Sequence, residues 1–223
     1  MPRLRLIAGP NGSGKTTLTR QLREHFAIPL GQYLNPDDIA RHISLAPILN
    51  DMAPTQTVTD YQFTYHAAIL AQQIALGLRE DWIRDKLSFS YESVMSHHSH
   101  LDFVQWAGSA GYKSYLYYVC TSDPAVNQAR VKQRVELGGH NVPEEKIVQR
   151  YHRSLDFLYR MSCFCHRSYF FDNSTKALTF IAEITPDGFL DIVERNFDQV
   201  NPSWFVQYVI ERWDKKKIRI SKV

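Results

Sequence analysis

The feature that most constrains this chain is the run Gly9-Pro10-Asn11-Gly12-Ser13-Gly14-Lys15-Thr16, preceded by a hydrophobic segment from Leu4 to Ala8. Leu18, Leu22 and Phe26 follow it at helical spacing. Strand, glycine-rich turn, Lys-Thr pair and helix occur in the order that a phosphate-binding loop needs. Glycines let successive backbone N–H groups turn toward a polyphosphate. Lys15 can then reach the β- and γ-phosphates, and the Thr16 hydroxyl is placed to ligate Mg²⁺. The helix that begins there points the positive end of its dipole at the same anion. ATP with Mg²⁺ is therefore the expected cofactor pair.

A chain of 223 residues with 44% hydrophobic content buries one substantial core, and one elaborated domain is expected rather than two. No apolar run approaches the length of a membrane span, and the N-terminus opens into a charged, alternating strand unlike a signal peptide. Cys120, Cys163 and Cys165 are an odd number of thiols, which suits a reduced, cytoplasmic setting without a membrane partner. Cys163-Phe164-Cys165-His166 lacks a second ligand pair at zinc-site spacing and reads as packing.

Apolar strand-like runs alternate with amphipathic helices, the pattern of an α/β fold with a mainly parallel sheet. The expected strands are 3–8, 32–35, 86–91, 112–120 and 168–172. Between the second and third lies a crossover helix, with Phe63, Ala67, Leu70, Ile74 and Leu78 as its expected buried stripe. Asp123-Pro124 and Pro143-Glu144-Glu145 open two further helices. Segments 177–184 and 188–193 flank Thr185-Pro186-Asp187-Gly188 and read as a hairpin that extends the sheet at an edge. The expected organisation is a main domain over 1–175 and an extension over 176–223 packed on it.

The net charge of +3 is uneven, because residues 202–223 carry six basic and two acidic side chains and leave −1 on the rest. Lys215-Lys216-Lys217, Arg219 and Lys222 follow the aromatic stretch Trp204–Ile210, which reads as a docked element with a solvated basic end. A nucleic-acid or other anionic partner is the less favoured reading of that tail.

In such sheets ligands bind beyond the carboxyl ends of the strands. Asn35-Pro36-Asp37-Asp38 follow the second strand, Glu92, Ser93 and Ser96 the third, and Asp172-Asn173-Ser174 the fifth. A phosphoryl transferase needs a carboxylate to orient or deprotonate the attacking hydroxyl, and Asp37 fits by position; helix capping by Asp37 and Asp38 is the alternative. Arg130 and Arg134 share one helix face, and Lys146, Arg150 and Arg153 share another, with Gly138-Gly139-His140 between as a hinge. Such a pair of helices can act as a lid that clamps a transferring phosphoryl group.

The ordered set resembles the zeta toxin family of small kinases in its compact form. The resemblance rests on Gly9–Thr17, Asn35-Pro36-Asp37-Asp38-Ile39-Ala40, Ser90-Tyr91-Glu92-Ser93-Val94-Met95-Ser96, Gly111-Tyr112, Arg130–Arg134, Gly138–Pro143, Arg150-Tyr151 and Asp172-Asn173-Ser174. It implies a three-layer P-loop kinase fold and phosphorylation by ATP and Mg²⁺ of the sugar 3′-hydroxyl of UDP-N-acetylglucosamine, with an antitoxin as partner. It further implies nucleotide and metal contacts from Lys15, Thr16 and their loop through Thr17, a base at Asp37, an acceptor contact at Glu92 with Ser93 beside it, and a γ-phosphate contact at Arg134. The second clamp is left open among Arg130, Arg150 and His140. The family's acidic-threonine-threonine stretch stands here as Glu92-Ser93-Val94, a departure at the sugar. A kinase for another small hydroxyl acceptor and a regulatory or nucleic-acid-associated ATPase remain as alternatives.

Overall fold

Strand β1 (Arg3–Ala8) buries every residue from Leu4 to Ala8, as a strand covered on both faces must. A computed structural model describes residues 1–43, 60–137, 142–175 and 177–222, with the backbone alone for 60–64. On either side of β1 run β3 (Phe89–Ser93) and β4 (Lys113–Cys120), both parallel to it. Outside them lie β2 (Gln32–Leu34) and β5 (Arg167–Asp172), again parallel. The sheet continues through an antiparallel β6 (Thr179–Ile184) and β7 (Leu190–Val193) to β8 (Ile218–Ser221), giving the order β2-β3-β1-β4-β5-β6-β7-β8. The expected α/β fold and the hairpin are both present. Gly188, at φ 79°, closes the hairpin turn by donating to Thr185 O at 2.9 Å.

Helix α1 (Lys15–Glu24) covers one face, where Leu18 and Leu22 pack with Ile7, Val119 and Phe171. Phe26, expected on the same stripe, lies beyond the helix end and is 55% exposed. The larger core lies on the opposite face. There α3 (Asp60–Arg84), α4 (Ser99–Ser109), α6 (Glu144–Phe164) and α8 (Ser203–Tyr208) pack on Leu6, Phe89, Tyr91, Leu116, Tyr118 and Phe170. Short helices α2 (Pro36–His42) and α7 (Glu194–Val200), with α5 (Pro124–Glu136), complete the α-helices among the described residues. The outcome is three layers, helices on both faces of one sheet.

Three expectations need correction. The third strand begins at Phe89 rather than Lys86, because Lys86 adopts φ 57° in the turn that ends α3; Glu92 and Ser93 therefore sit within the strand end. The buried stripe of α3 is Ala67, Ala71, Ala75 and Ile83, while Leu70 and Ile74 face outward and Phe63 lies outside the described side chains. Small alanines let the helix approach the sheet closely, and that closeness outweighed side-chain size in choosing the inner face. The basic tail is not merely solvated: Ile218–Ser221 forms β8, parallel to β7. The register places Arg219 opposite Asp191, and the two form a bidentate pair at 2.5 and 2.7 Å.

Candidate active site

The phosphate loop follows β1 at the carboxyl edge of the sheet, and its shape depends on glycines. Gly12 has φ 74° and Gly14 φ 102°, conformations that side chains with a Cβ rarely adopt. A Cβ on Gly14 would collide with the amide nitrogen of Asn173. That amide donates to Ser13 O at 2.8 Å, and Asn127 Nδ2 donates to Asn11 O at 2.5 Å. Asn127 is itself bonded through Oδ1 to the Thr121 hydroxyl. Two asparagines from α5 and the end of β5 thus brace the loop. Lys15 donates to the carbonyls of Gly9 and Pro10 at 2.9 and 3.0 Å. Burial lowers its pKa, and the neighbouring charges of Glu92 and Asp37 oppose that shift.

Glu92 is buried at the end of β3, and Oε1 accepts from the Thr19 hydroxyl and the Tyr33 hydroxyl, each at 2.6 Å. The carboxylate is held from α1 on one side and β2 on the other. Burial, followed by the charge of Glu92, drives the Tyr33 phenol far above its ordinary pKa, so Tyr33 remains a donor. Neither Thr19 nor Tyr33 stands out in the sequence; each lies in an ordinary apolar–polar pattern, and only folding brings them to Glu92.

Asp37 lies in the first turn of α2 and lines a cleft of about 900 Å³ with the loop, Glu92 and Ser93. Neither acidic residue caps that helix. Asn35 does so, accepting from Asp37 N at 3.0 Å, while Asp38 pairs with Arg41 at 3.0 Å on the exposed side. Asp37 is thereby separated from its neighbour by environment.

Across the cleft stand α5 and α6, which share a small core of Val131, Val142 and Ile147. Arg130, Arg134, Lys146 and Arg150 line the cleft from these helices. Arg130 also donates to Thr175 O at 3.3 Å, and the charges of Arg134 and Arg150 both reach Lys15. Arg153 is exposed and is not part of the lining. Pro143 is the N-cap of α6 rather than its first helical residue. The hinge Gly138-Gly139-His140 lies outside the described residues. Tyr151, two turns into α6, donates to Thr121 O at 2.7 Å, which ties the stretch that carries Arg150 to the end of β4.

Ser93 accepts from Met95 N at 2.9 Å and hydrogen-bonds His100 Nε2 at 2.9 Å, so its hydroxyl is engaged within the protein. His100 stacks on Tyr91, with ring centroids 6.1 Å apart. Beside them Arg79 from α3 lines the same cleft. Sequence inspection missed Arg79 and His100; no local pattern separates a cleft arginine or histidine from a solvated one. Asp172 is turned inward, its Oδ1 accepting from Ser174 N at 2.8 Å and its Oδ2 from Trp204 Nε1 at 2.7 Å. It serves as an internal tie.

Mg²⁺ fits this donor set in one particular way. Among the described residues no group of three or more His, Cys, Asp or Glu could cage a metal. Thr16 is exposed in the cleft next to Lys15, as expected for a cation held by one hydroxyl, water and the phosphates of a nucleotide. Cys120, Cys163 and Cys165 are free, with burial pushing the Cys165 thiol up to about 12. No described helix is long and apolar enough to cross a membrane.

Comparison with known proteins gives a consistent result. The family model described as Zeta toxin matches residues 1–178. An uncharacterised protein of Haemophilus influenzae is 29% identical over 143 residues, covering 64% of this chain and 88% of its own length. Among solved structures, the AvrRxo1-ORF1:-ORF2 complex with ATP superposes with a TM-score of 0.63 at 14% identity, covering 90% of this chain and 63% of that one. The chain thus spans less than two thirds of that relative. The PezAT chromosomal toxin–antitoxin system of Streptococcus pneumoniae gives a TM-score of 0.59 at 12% identity, covering 97% of this chain and 82% of that one. At these identities the structural likeness establishes the fold.

Proposed function

The chain belongs to the zeta toxin family, and from that premise we propose that it is an ATP- and Mg²⁺-dependent kinase that phosphorylates a hydroxyl of a nucleotide sugar, UDP-N-acetylglucosamine foremost. The observation that carries the reading is the shared cleft. A complete phosphate loop, the exposed Asp37 carboxylate and the cations Arg130, Arg134 and Arg150 converge on one space.

In this reading the loop amides and Lys15 cradle the β- and γ-phosphates. Thr16 would hold Mg²⁺, which when bound neutralises phosphate charge. Asp37 accepts the proton of the acceptor hydroxyl as its oxygen bonds to the γ-phosphorus. The bond from that phosphorus to the bridging oxygen breaks, and ADP leaves. Arg134, with Arg150 or Arg130, stabilises the charge spread over the transferring group. Glu92, locked by Thr19 and Tyr33, presents its other oxygen toward the acceptor. Because Val94 stands where the family carries a second threonine and the Ser93 hydroxyl is engaged with His100 and Met95, the acceptor pocket departs from a threonine-lined one, and related nucleotide sugars are expected as secondary substrates. The antitoxin relationship and a cytoplasmic site of action belong to the same proposal, as does the division of the chain at about residue 175.

The test is a panel of nucleotide sugars, free sugars and nucleosides incubated with ATP and Mg²⁺ and read by mass spectrometry for a gained phosphoryl group. Lys15→Ala is the control; it removes a charge-assisted contact of about 1.5–3 kcal/mol and should abolish turnover. Phosphorylation of a different hydroxyl compound would preserve the kinase and remove the acceptor. ADP release stimulated by nucleic acid and independent of any acceptor would replace the kinase with an ATPase.

A further inference from the structure

The mechanism above leaves Arg79 without a task. The residue is 8% exposed, yet it lines the cleft. Its guanidinium lies over the rings of Tyr91 and Phe103, 4.6 and 4.8 Å from their centroids, and Nε donates to Ala75 O at 3.1 Å. Among the described residues no carboxylate pairs with it. A guanidinium cannot shed its proton to escape burial, and buried charges are ordinarily paired. The two rings, themselves edge to face, pack beside the guanidinium, and one N–H is spent on Ala75. What remains is the planar edge, whose N–H groups match the two oxygens of an oxyanion.

The neighbours sharpen this reading. Burial, then the charges of Arg79 and His97, push His100 down to about 4, so at neutral pH it is an uncharged partner of Ser93. Among the described residues Arg79 is therefore the cation on this wall of the cleft, which is built by α3, β3 and α4 and also carries the Glu92 carboxylate, itself held by Thr19 and Tyr33. Arg130, Arg134 and Arg150 come from α5 and α6 and stand with the phosphate loop. Two sets of cations from separate elements imply two anions in one cleft, the nucleotide's phosphates and another.

We propose that Arg79 is the side chain that binds an oxyanion carried by the acceptor, a phosphate, diphosphate or carboxylate, so that this wall of the cleft, rather than the arginines beside the phosphate loop, discriminates against neutral sugars and nucleosides. This rests on the kinase reading above. It makes Arg79 a specificity determinant rather than a participant in phosphoryl transfer.

The direct test uses radiolabelled sulfate in equilibrium dialysis with protein saturated by Mg²⁺ and a non-hydrolysable ATP analogue, which fills the phosphate loop and its arginines. Wild type should show saturable sulfate binding. Arg79→Met, which keeps an unbranched apolar stem against Tyr91 and Phe103, should weaken it roughly 10- to 100-fold, and Arg79→Lys should retain part. Competition by phosphate but not acetate would assign a phosphate ester; equal competition would assign a carboxylate. In the activity arm, N-acetylglucosamine, its 1-phosphate and UDP-N-acetylglucosamine offer related hydroxyls with and without the anion. Arg79→Met should raise KM for the anionic members while leaving KM for ATP unchanged.

Sulfate binding equal in wild type and in both variants, or no saturable site in folded wild type, overturns the proposal. So does a raised KM for ATP alone. Failure of the ATP analogue to bind, or of every compound to gain phosphate, counts against the kinase reading instead. The number of sulfates bound without nucleotide then still decides the anion site: Arg79→Met should bind one fewer than wild type, and equal numbers overturn the proposal.

Discussion

The side-chain amide of Asn173 donates to Ser13 O at 2.8 Å, bridging the phosphate loop and the end of β5 across 160 positions of sequence. The loop is thereby held by a residue from the far side of β4. Fixing the loop before the nucleotide arrives lowers the ordering cost of binding.

Replacing Asn173 with Ala should therefore weaken ATP and ADP binding by about 2- to 10-fold, the worth of one neutral hydrogen bond. Calorimetric titration of both nucleotides measures it. Asn173→Asp should weaken them further, because a carboxylate would then stand beside the phosphates. Unchanged affinity in both variants would show that the loop holds its shape without this brace.

Asp37 and Asp38 are adjacent in sequence and separated by environment. Asp37→Asn should leave the Kd for ATP within a few-fold while kcat falls by roughly 10²–10⁴-fold, the range of a lost general base. Asp38→Asn gives up only an exposed pair with Arg41, an interaction worth about 0–1 kcal/mol, and should retain near-normal turnover. Steady-state kinetics on the two variants settles the ranking, and the reverse order would move the base to Asp38.

Trp204 donates to Asp172 Oδ2 at 2.7 Å inside the core, and both residues are buried. Trp204→Phe should leave a carboxylate oxygen without its donor and destabilise the protein by about 1.5–3 kcal/mol in urea unfolding. Trp204→Phe combined with Asp172→Asn should cost less than the sum of the two single changes, since the charge left behind by the first is removed by the second.

Burial, followed by the charges of Arg79 and His97, pushes the His100 imidazole from its ordinary 6.5 down to about 4. The folded state binds fewer protons there than the unfolded chain between those values, so this residue's contribution is complete above pH 6.5 and is lost as pH falls toward 4. The slope in that window approaches about 1.4 kcal/mol per pH unit for one such group. Urea midpoints of wild type and His100→Gln from pH 7 to pH 4 should converge as the pH drops. Parallel curves would show that the imidazole takes up its proton without cost.

The phosphate loop, the parallel α/β arrangement and the hairpin were legible in the sequence because each is governed by neighbours along the chain. Glycine, lysine and threonine at fixed offsets specify a turn with a charge, hydrophobic periodicity specifies strand or helix, and Thr185-Pro186-Asp187-Gly188 specifies a reversal. The positions of Glu92, Asp37 and Arg134 near that loop followed from the same logic, since ends of parallel strands and the helices after them gather at one edge of a sheet. Tertiary packing decided the rest. The inward face of α3 went to alanines because close approach outweighs side-chain size, and that choice carried Arg79 into the cleft on the same line of the helix. Thr19 and Tyr33 reached Glu92, Asn127 and Asn173 reached the loop, and Arg219 reached Asp191 through contacts between segments distant in sequence. Local pattern records which backbone shape a segment prefers; which side chains then meet depends on how those segments are stacked, and only the assembled sheet and its helices determine that.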